Sequence, residues 1–242
     1  MEEGTTGHPT SPHAPGRTGH PGESRLPAAV AILVAIGLYA ALPNKLVLGP
    51  RYLVPALELA LLVPLLLANP GRMNREDQWL RRTSITLVLV IAATNTAALL
   101  LLLHELVTAP RSGHGNDLII GAGQVWATNI VMYGLVFWEL DRGGPVVRTQ
   151  HLRETLPAAD FRFPQDEDED AVREVARRSA ATSGWVATFY DYLYVSVTNS
   201  TAFSPTDTMP LSGRAKLLMS AQGISALVTM VLVIARGVNL LS

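Results

Sequence analysis

Hydroxyl-bearing side chains and one carboxylate are concentrated in a short stretch of the chain, between residues 198 and 207. Rings of polar or acidic side chains can replace the water around a cation in a membrane pore. The sequence therefore makes this stretch a candidate pore lining, with a phenylalanine as an apolar constriction and an aspartate as a charged ring. The candidate lining residues are Thr198, Ser200, Thr201, Phe203, Ser204 and Asp207.

A second candidate for chemistry is Glu58, which lies in an apolar stretch between Pro55 and Pro64. An ionisable group at membrane depth is costly, so it is a functional hypothesis by default. The carboxylate could carry a proton or bind a cation, or it could pair with a polar group of a neighbouring helix such as Asn95 or Asn129. The sequence leaves both interpretations open.

The composition indicates a membrane protein. Of the 242 residues, 48% are hydrophobic and only 16% are charged, whereas a soluble domain has about a quarter charged residues. The net charge of -1 offers no basic surface for nucleic acid, and the absence of cysteine excludes disulfides and thiolate metal sites. Because no metalloprotease, hydrolase or P-loop motif occurs, we expect neither an enzyme nor a bound cofactor or metal.

The apolar runs predict the membrane helices, since a bilayer core needs about 20 apolar residues per helix. We expect an all-α, polytopic transmembrane protein with five long spans and one further segment, 185–203, which either re-enters as a pore helix or spans. The five predicted spans are 27–42, 52–67, 83–106, 118–140 and 214–241.

Composition also predicts four regions along the chain. Residues 1–26 are rich in Gly, Pro, Ser and Thr, and we expect a disordered tail. Residues 27–140 form the predicted four-helix transmembrane region. Residues 141–184 carry acids and arginines, and we expect a solvated polar connector there. Residues 185–242 contain the candidate pore segment and the last membrane helix.

Lysine and arginine in short loops predict the orientation, because such loops are enriched on the cytoplasmic side. The 69–82 loop has four arginines, and the 107–117 loop has Arg111 alone. This places the N-terminus and the 69–82 loop in the cytoplasm. After four spans, the 141–184 segment would lie on the same side of a bacterial inner membrane.

Residues 188–241 resemble the pore-helix, filter and inner-helix unit of two-transmembrane potassium channels. Residues 191–198 match the pore helix, 200–207 occupy the filter position, and 209–211 match the turn after the filter. The resemblance implies monovalent cations as permeant species and a homo-oligomer, a tetramer if a pore forms. Residues 200–207 contain no glycine to supply left-handed dihedrals, so we do not expect a carbonyl-lined filter. The hydroxyls of this segment could instead line a wider and weakly selective pore.

Residues 27–241 also resemble an uncharacterised family of bacterial inner-membrane proteins with a degenerate channel-like module. The resemblance is carried by Phe163-Pro164-Gln165, by an aromatic motif at 191–194, and by an F-x-x-T-D motif at 203–207. It implies a location in the cell membrane, with the lipid bilayer as the surrounding partner. It supplies no activity.

Three functions remain open at this point. The first is a weakly selective cation channel lined by the 198–207 segment. The second is a small transporter that uses Glu58 as its coupling carboxylate. The third is a non-conducting accessory protein, whose acidic 141–184 segment docks a soluble partner.

Overall fold

The computed structural model describes residues 21–74, 77–108, 115–167, 172–201 and 207–241. These residues are mostly helical, so the all-α prediction is confirmed. The helices of the described ranges are α1 (Leu26–Ala40), α2 (Leu53–Ala68), α3 (Gln78–Thr108), α4 (Gly115–Leu140), α5 (Pro145–Gln150), α6 (Arg173–Ala176), α7 (Ala180–Ser183), α8 (Phe189–Thr201) and α9 (Gly213–Leu241). The two-residue strands are β1 (Glu23–Ser24), β2 (Arg72–Met73), β3 (Phe161–Arg162) and β4 (Met209–Pro210).

Among the described residues, three helices are long and apolar enough to cross a membrane, namely α3, α4 and α9. The prediction of five long spans is not confirmed, because α1 has 15 residues and α2 has 16. At 1.5 Å per residue these helices extend only about 22 to 24 Å, less than the roughly 30 Å of a hydrocarbon core. Pro43 and Pro70 lie just beyond their C-terminal ends, where proline cannot continue a helix.

The pairing of β1 with β2 defines one end of the bundle. The two strands are antiparallel, with Glu23 opposite Met73, so the start of α1 lies beside the end of α2. The start of α3 and the end of α4 lie at this end as well. Arginines gather here, and we call it the arginine-rich end; they include Arg25, Arg72, Arg81, Arg142, Arg148, Arg153, Arg162 and Arg214.

The hydrophobic core is divided into two clusters along the bundle axis. The cluster nearer the arginine-rich end is aromatic and includes Phe137, Phe161 and Tyr192. The second cluster, at the opposite end, includes Leu46 and Leu102. This division matters because polar side chains occupy the depth between the clusters.

The helix α8 enters the bundle from the arginine-rich end and stops at mid-depth. Its first residue, Phe189, donates its backbone N–H to the Glu23 carboxylate at 2.6 Å. Deeper in the bundle, the Ser196 hydroxyl donates to the carbonyl of Ile130 at 2.7 Å, about 15 Å along α4 from its C-terminus. A side chain at Gly134 would meet the backbone of Leu193 at 3.3 Å, so glycine permits the close approach of α4 to α8.

The chain after α8 resumes at the same end of the bundle. The strand β4 pairs antiparallel with β3, and Phe161 lies opposite Pro210. The helix α9 then starts at this end, where Arg214 contacts the carbonyl of Leu140 at 3.3 Å. Within the described residues, α8 and α9 therefore both begin at the arginine-rich end of the bundle.

Two expectations about the flanking polar regions differ from the structure. The end of the predicted tail is packed, since Glu23 is buried in β1 and α1 begins at Leu26; residues 1–20 lie outside the described ranges. The predicted connector is not simply solvated, because Asp141, Arg148 and Phe161 are each at most 2% exposed. Tertiary contacts with α4 and α8 supply the burial that the composition of the connector did not reveal.

Candidate functional site

The predicted pore lining is only partly brought together by the structure. Phe203 and Ser204 lie outside the described residues. Thr198, Ser200 and Thr201 lie in the last turns of α8, at mid-depth. Asp207 is exposed and lies two residues before β4, so it is near the arginine-rich end rather than beside these hydroxyls.

The three hydroxyls of α8 do not share a face of the helix. Successive residues of an α-helix are rotated by about 100°, so Thr198 and Ser200 are about 200° apart. Thr198 donates to the carbonyl of Tyr194 at 2.9 Å, and Thr201 donates to that of Val197 at 2.8 Å. Ser200 therefore lies on a different face of α8 from Thr198 and Thr201, and the assignment of all three to a pore lining stays a prediction.

Glu58 is buried as the sequence suggested, with 2% of the residue exposed. Its hydrogen-bonding neighbour is Thr94 of α3, rather than Asn95 or Asn129. The Thr94 hydroxyl already donates to the carbonyl of Val90 at 2.9 Å. In that arrangement it can accept a hydrogen bond from a neutral Glu58 carboxyl group, and after rotation of the hydroxyl it can instead donate to the ionised form.

Polar side chains lie between the two hydrophobic clusters. They are carried by α2, α3, α4, α8 and α9, whereas α1 contributes none. On α3, for example, Asn95 lies between Ile91 of one cluster and Ala98 of the other. We call this set the mid-depth polar layer. Its members are Glu58, Thr94, Asn95, Thr128, Asn129, Ser196, Asn199, Ser200 and Gln222.

The two sides of this layer differ in how their hydrogen bonds are satisfied. Between α8 and α9, Gln222 donates to the hydroxyls of Ser196 at 2.6 Å and Ser200 at 2.7 Å, and it accepts from Asn199 at 2.9 Å. On the other side, both amide atoms of Asn95 and the amide oxygen of Asn129 have no hydrogen-bond partner among the described residues. Buried polar atoms of this kind require explanation, and water or an ion is a common one.

A buried network of charges anchors α8 at the arginine-rich end. Asp141 is fully buried and accepts hydrogen bonds from the backbone N–H of Asp160 at 2.7 Å and from the Tyr192 hydroxyl at 2.5 Å. Burial raises the pKa of Tyr192 well above its ordinary value. The phenol therefore stays protonated and remains a donor to Asp141.

Arg148 joins the same network from α5. It donates to the carbonyls of Trp138 at 2.7 Å and Asp141 at 2.8 Å, and its guanidinium lies 4.7 Å from the centre of the Tyr192 ring. It also forms an ion pair with Glu23 at 3.8 Å. Burial raises the pKa of Glu23, and the charge of Arg148 opposes that shift.

No pattern in the sequence predicted this network. Its members are separated by up to 169 positions, from Glu23 to Tyr192, and no local motif unites them. One available signal was the Asp141-Arg142 pair directly after a long apolar run. Within the described residues, no group of three or more side chains of metal-binding type is placed to hold an ion.

Comparisons with protein-family models, with curated proteins and with solved structures returned no match to this chain. The structure itself therefore defines the class of protein. It is an all-α helical bundle in which three helices have the length and composition of membrane spans. One additional helix, α8, ends at mid-depth inside that bundle.

Proposed function

We propose that the protein is a multi-pass protein of the bacterial inner membrane that moves a proton or small cation through the mid-depth polar layer. Glu58 is the group that carries it. The observation behind the proposal is the burial of Glu58 between apolar helices, with no ion pair to any described lysine or arginine. The arginine-rich end, which includes the N-terminus of α1, faces the cytoplasm.

The chemistry of the layer supports this assignment. An isolated carboxylate is strongly disfavoured in an apolar interior, so it is expected to take up a proton or a cation. Carboxyl and amide oxygens are suitable groups for both, and Asn95 and Asn129 offer amide oxygens without a described donor. Many transporters place their ion sites near the bilayer midplane, where a discontinuous helix ends, and α8 ends at that depth.

The test is ion flux through purified protein in liposomes, followed with a pH-sensitive dye while a potassium or proton gradient is imposed. Glu58→Gln keeps the size of the side chain and removes its charge, and flux is expected to fall to the level of empty liposomes. Glu105→Gln is the matched control, because Glu105 pairs with Lys45 at 3.5 Å outside the polar layer. Wild-type flux in Glu58→Gln, or no flux in the wild type, would contradict the proposal.

A second candidate, the weakly selective cation channel, is favoured by the re-entry of α8. In this arrangement four copies surround an axis, and the exposed face of α8 turns toward it. That face contains Tyr190, Tyr194, Val197 and Thr201. The exposed Asp207 would then form a ring of carboxylates at the mouth of the pore.

The channel predicts a different variant phenotype. Replacing Asp207 with asparagine should reduce cation conductance, because it removes one negative charge from each copy at the mouth. Single-channel recording measures this, and the detergent-corrected mass should be that of a tetramer. A monomeric mass excludes the pore. Absence of flux in both the liposome assay and single-channel recording would instead favour the accessory role.

A further inference from the structure

A cavity of about 330 Å³ opens at the arginine-rich end, between the 142–166 segment and residues 185–187. Its lining is strongly basic. Four arginines and one histidine line it, and a single acid does so among the described residues: Arg142, Arg148, His151, Arg153, Arg162 and Asp166. Neither the mid-depth layer nor the candidate channel uses this cavity.

Asp166 shows how the guanidinium groups are arranged. Its carboxylate accepts a hydrogen bond from Arg142 at 2.6 Å and also pairs with Arg153. It is 10% exposed at the side chain, whereas the Arg153 side chain is 46% exposed. Two guanidinium groups thus converge on one oxyanion at the cavity, and one of them can turn to meet a ligand.

The remaining acids that balance these arginines lie behind the lining or at the surface. Asp141 and Glu23 contact Arg142 and Arg148 from the buried side of the network. Glu167 pairs with Arg162 at 3.1 Å, but its side chain is 56% exposed. On the face of the cavity that a ligand would meet, the exposed guanidinium groups are those of Arg153 and Arg162, whose side chains are 46% and 44% exposed.

We propose that this cavity binds a phosphate group, carried either by the headgroup of an anionic phospholipid or by a free phosphorylated molecule. The planar guanidinium matches the geometry of phosphate oxygens and binds them through two parallel hydrogen bonds. The volume lies within the range of small-ligand sites. Basic pockets on the cytoplasmic side of membrane proteins bind anionic headgroups, and the exposed Leu211 at the cavity offers an apolar contact.

The experiment uses the full-length protein in nanodiscs of neutral lipid and titrates inorganic phosphate, with binding followed by ³¹P NMR. A parallel arm supplies phosphatidylglycerol in the nanodisc and measures, by native mass spectrometry, the lipid that the protein retains. Saturation by inorganic phosphate assigns the site to free phosphate species. Retention of phosphatidylglycerol without saturation by phosphate assigns it to a lipid headgroup.

Three variants distinguish a built site from general surface charge. Arg153→Gln should weaken binding about tenfold, the effect of losing one charge-assisted contact. Asp166→Asn should strengthen it, because two guanidinium groups are released while the oxygen that accepts from the Phe163 N–H is kept. The matched control is Arg177→Gln, an exposed arginine that does not line the cavity, and it should leave binding unchanged.

Three results would contradict the proposal. Absence of binding in both arms up to millimolar ligand removes the site. Equal weakening in Arg177→Gln and Arg153→Gln assigns the binding to surface charge. Weaker binding in Asp166→Asn shows that the carboxylate holds the pocket together rather than occupying the place of a ligand.

Discussion

Replacing Arg148 with methionine is expected to destabilise the protein by about 3 to 5 kcal/mol, the usual cost of removing one member of a buried charge pair. The substitution leaves the Glu23 carboxylate buried without its cation. It also removes the donor to the carbonyls of Trp138 and Asp141. Thermal unfolding in detergent, followed by tryptophan fluorescence, should show a Tm lower by on the order of 10 °C.

Two further variants show whether charge or packing causes this loss. Arg177→Met makes the same substitution at an exposed arginine and should change the Tm by little. Adding Glu23→Gln to Arg148→Met should recover part of the stability, because the uncompensated carboxylate is removed. A double variant no more stable than the single one would show that packing against Tyr192, rather than charge, is what Arg148 supplies.

Asp141→Ala is the second substitution with a large expected effect, about 3 kcal/mol or more, since it leaves several buried donors without an acceptor. Those donors are the backbone N–H groups of Asp160 and Phe161 and the hydroxyl of Tyr192. The Arg142 guanidinium, 3.3 Å from the Asp141 carboxylate, loses one of its two acid partners. The free energy of unfolding from denaturant titration in mixed micelles measures the effect.

Tyr192→Phe provides the graded comparison for Asp141→Ala. It removes one hydroxyl from the same network and keeps the ring that packs on Phe161 and Phe163. We expect a loss of about 1 kcal/mol, the net contribution of one hydrogen bond. If both substitutions lower the free energy of unfolding by the same amount, the Tyr192 contact accounts for the whole contribution of Asp141. The hydrogen bonds from Asp141 to the start of β3 would then add no measurable stability.

These stability effects have a consequence for the polar layer. The network fixes the start of α8, because Glu23 accepts from the N–H of Phe189 and Asp141 accepts from Tyr192. At the other end of α8, Ser196 and Ser200 contact Gln222 of α9. A change at Arg148 or Asp141 should therefore also disturb the depth at which α8 ends. Flux assays on those variants that remain folded can detect this change.

The sequence by itself determined the helical class and the position of the long apolar helices. Apolar runs such as 83–106 leave no other way to satisfy backbone hydrogen bonds in a lipid environment. The burial of Glu58 was also readable, because its neighbours along α2 are almost all apolar. Both features depend on local composition, which a single chain displays directly.

Only the tertiary structure decided the path of α8 and the fate of the 141–167 segment. That α8 and α9 begin at the same end of the bundle depends on the pairing of β3 with β4, whose residues are 47 or more positions apart. It also depends on a Glu23 contact 166 positions away. The burial of Asp141 and Arg148 depends on partners from three other parts of the chain. Such contacts are invisible to periodicity and composition, because polar residues in sequence look alike whether water or a buried partner satisfies them.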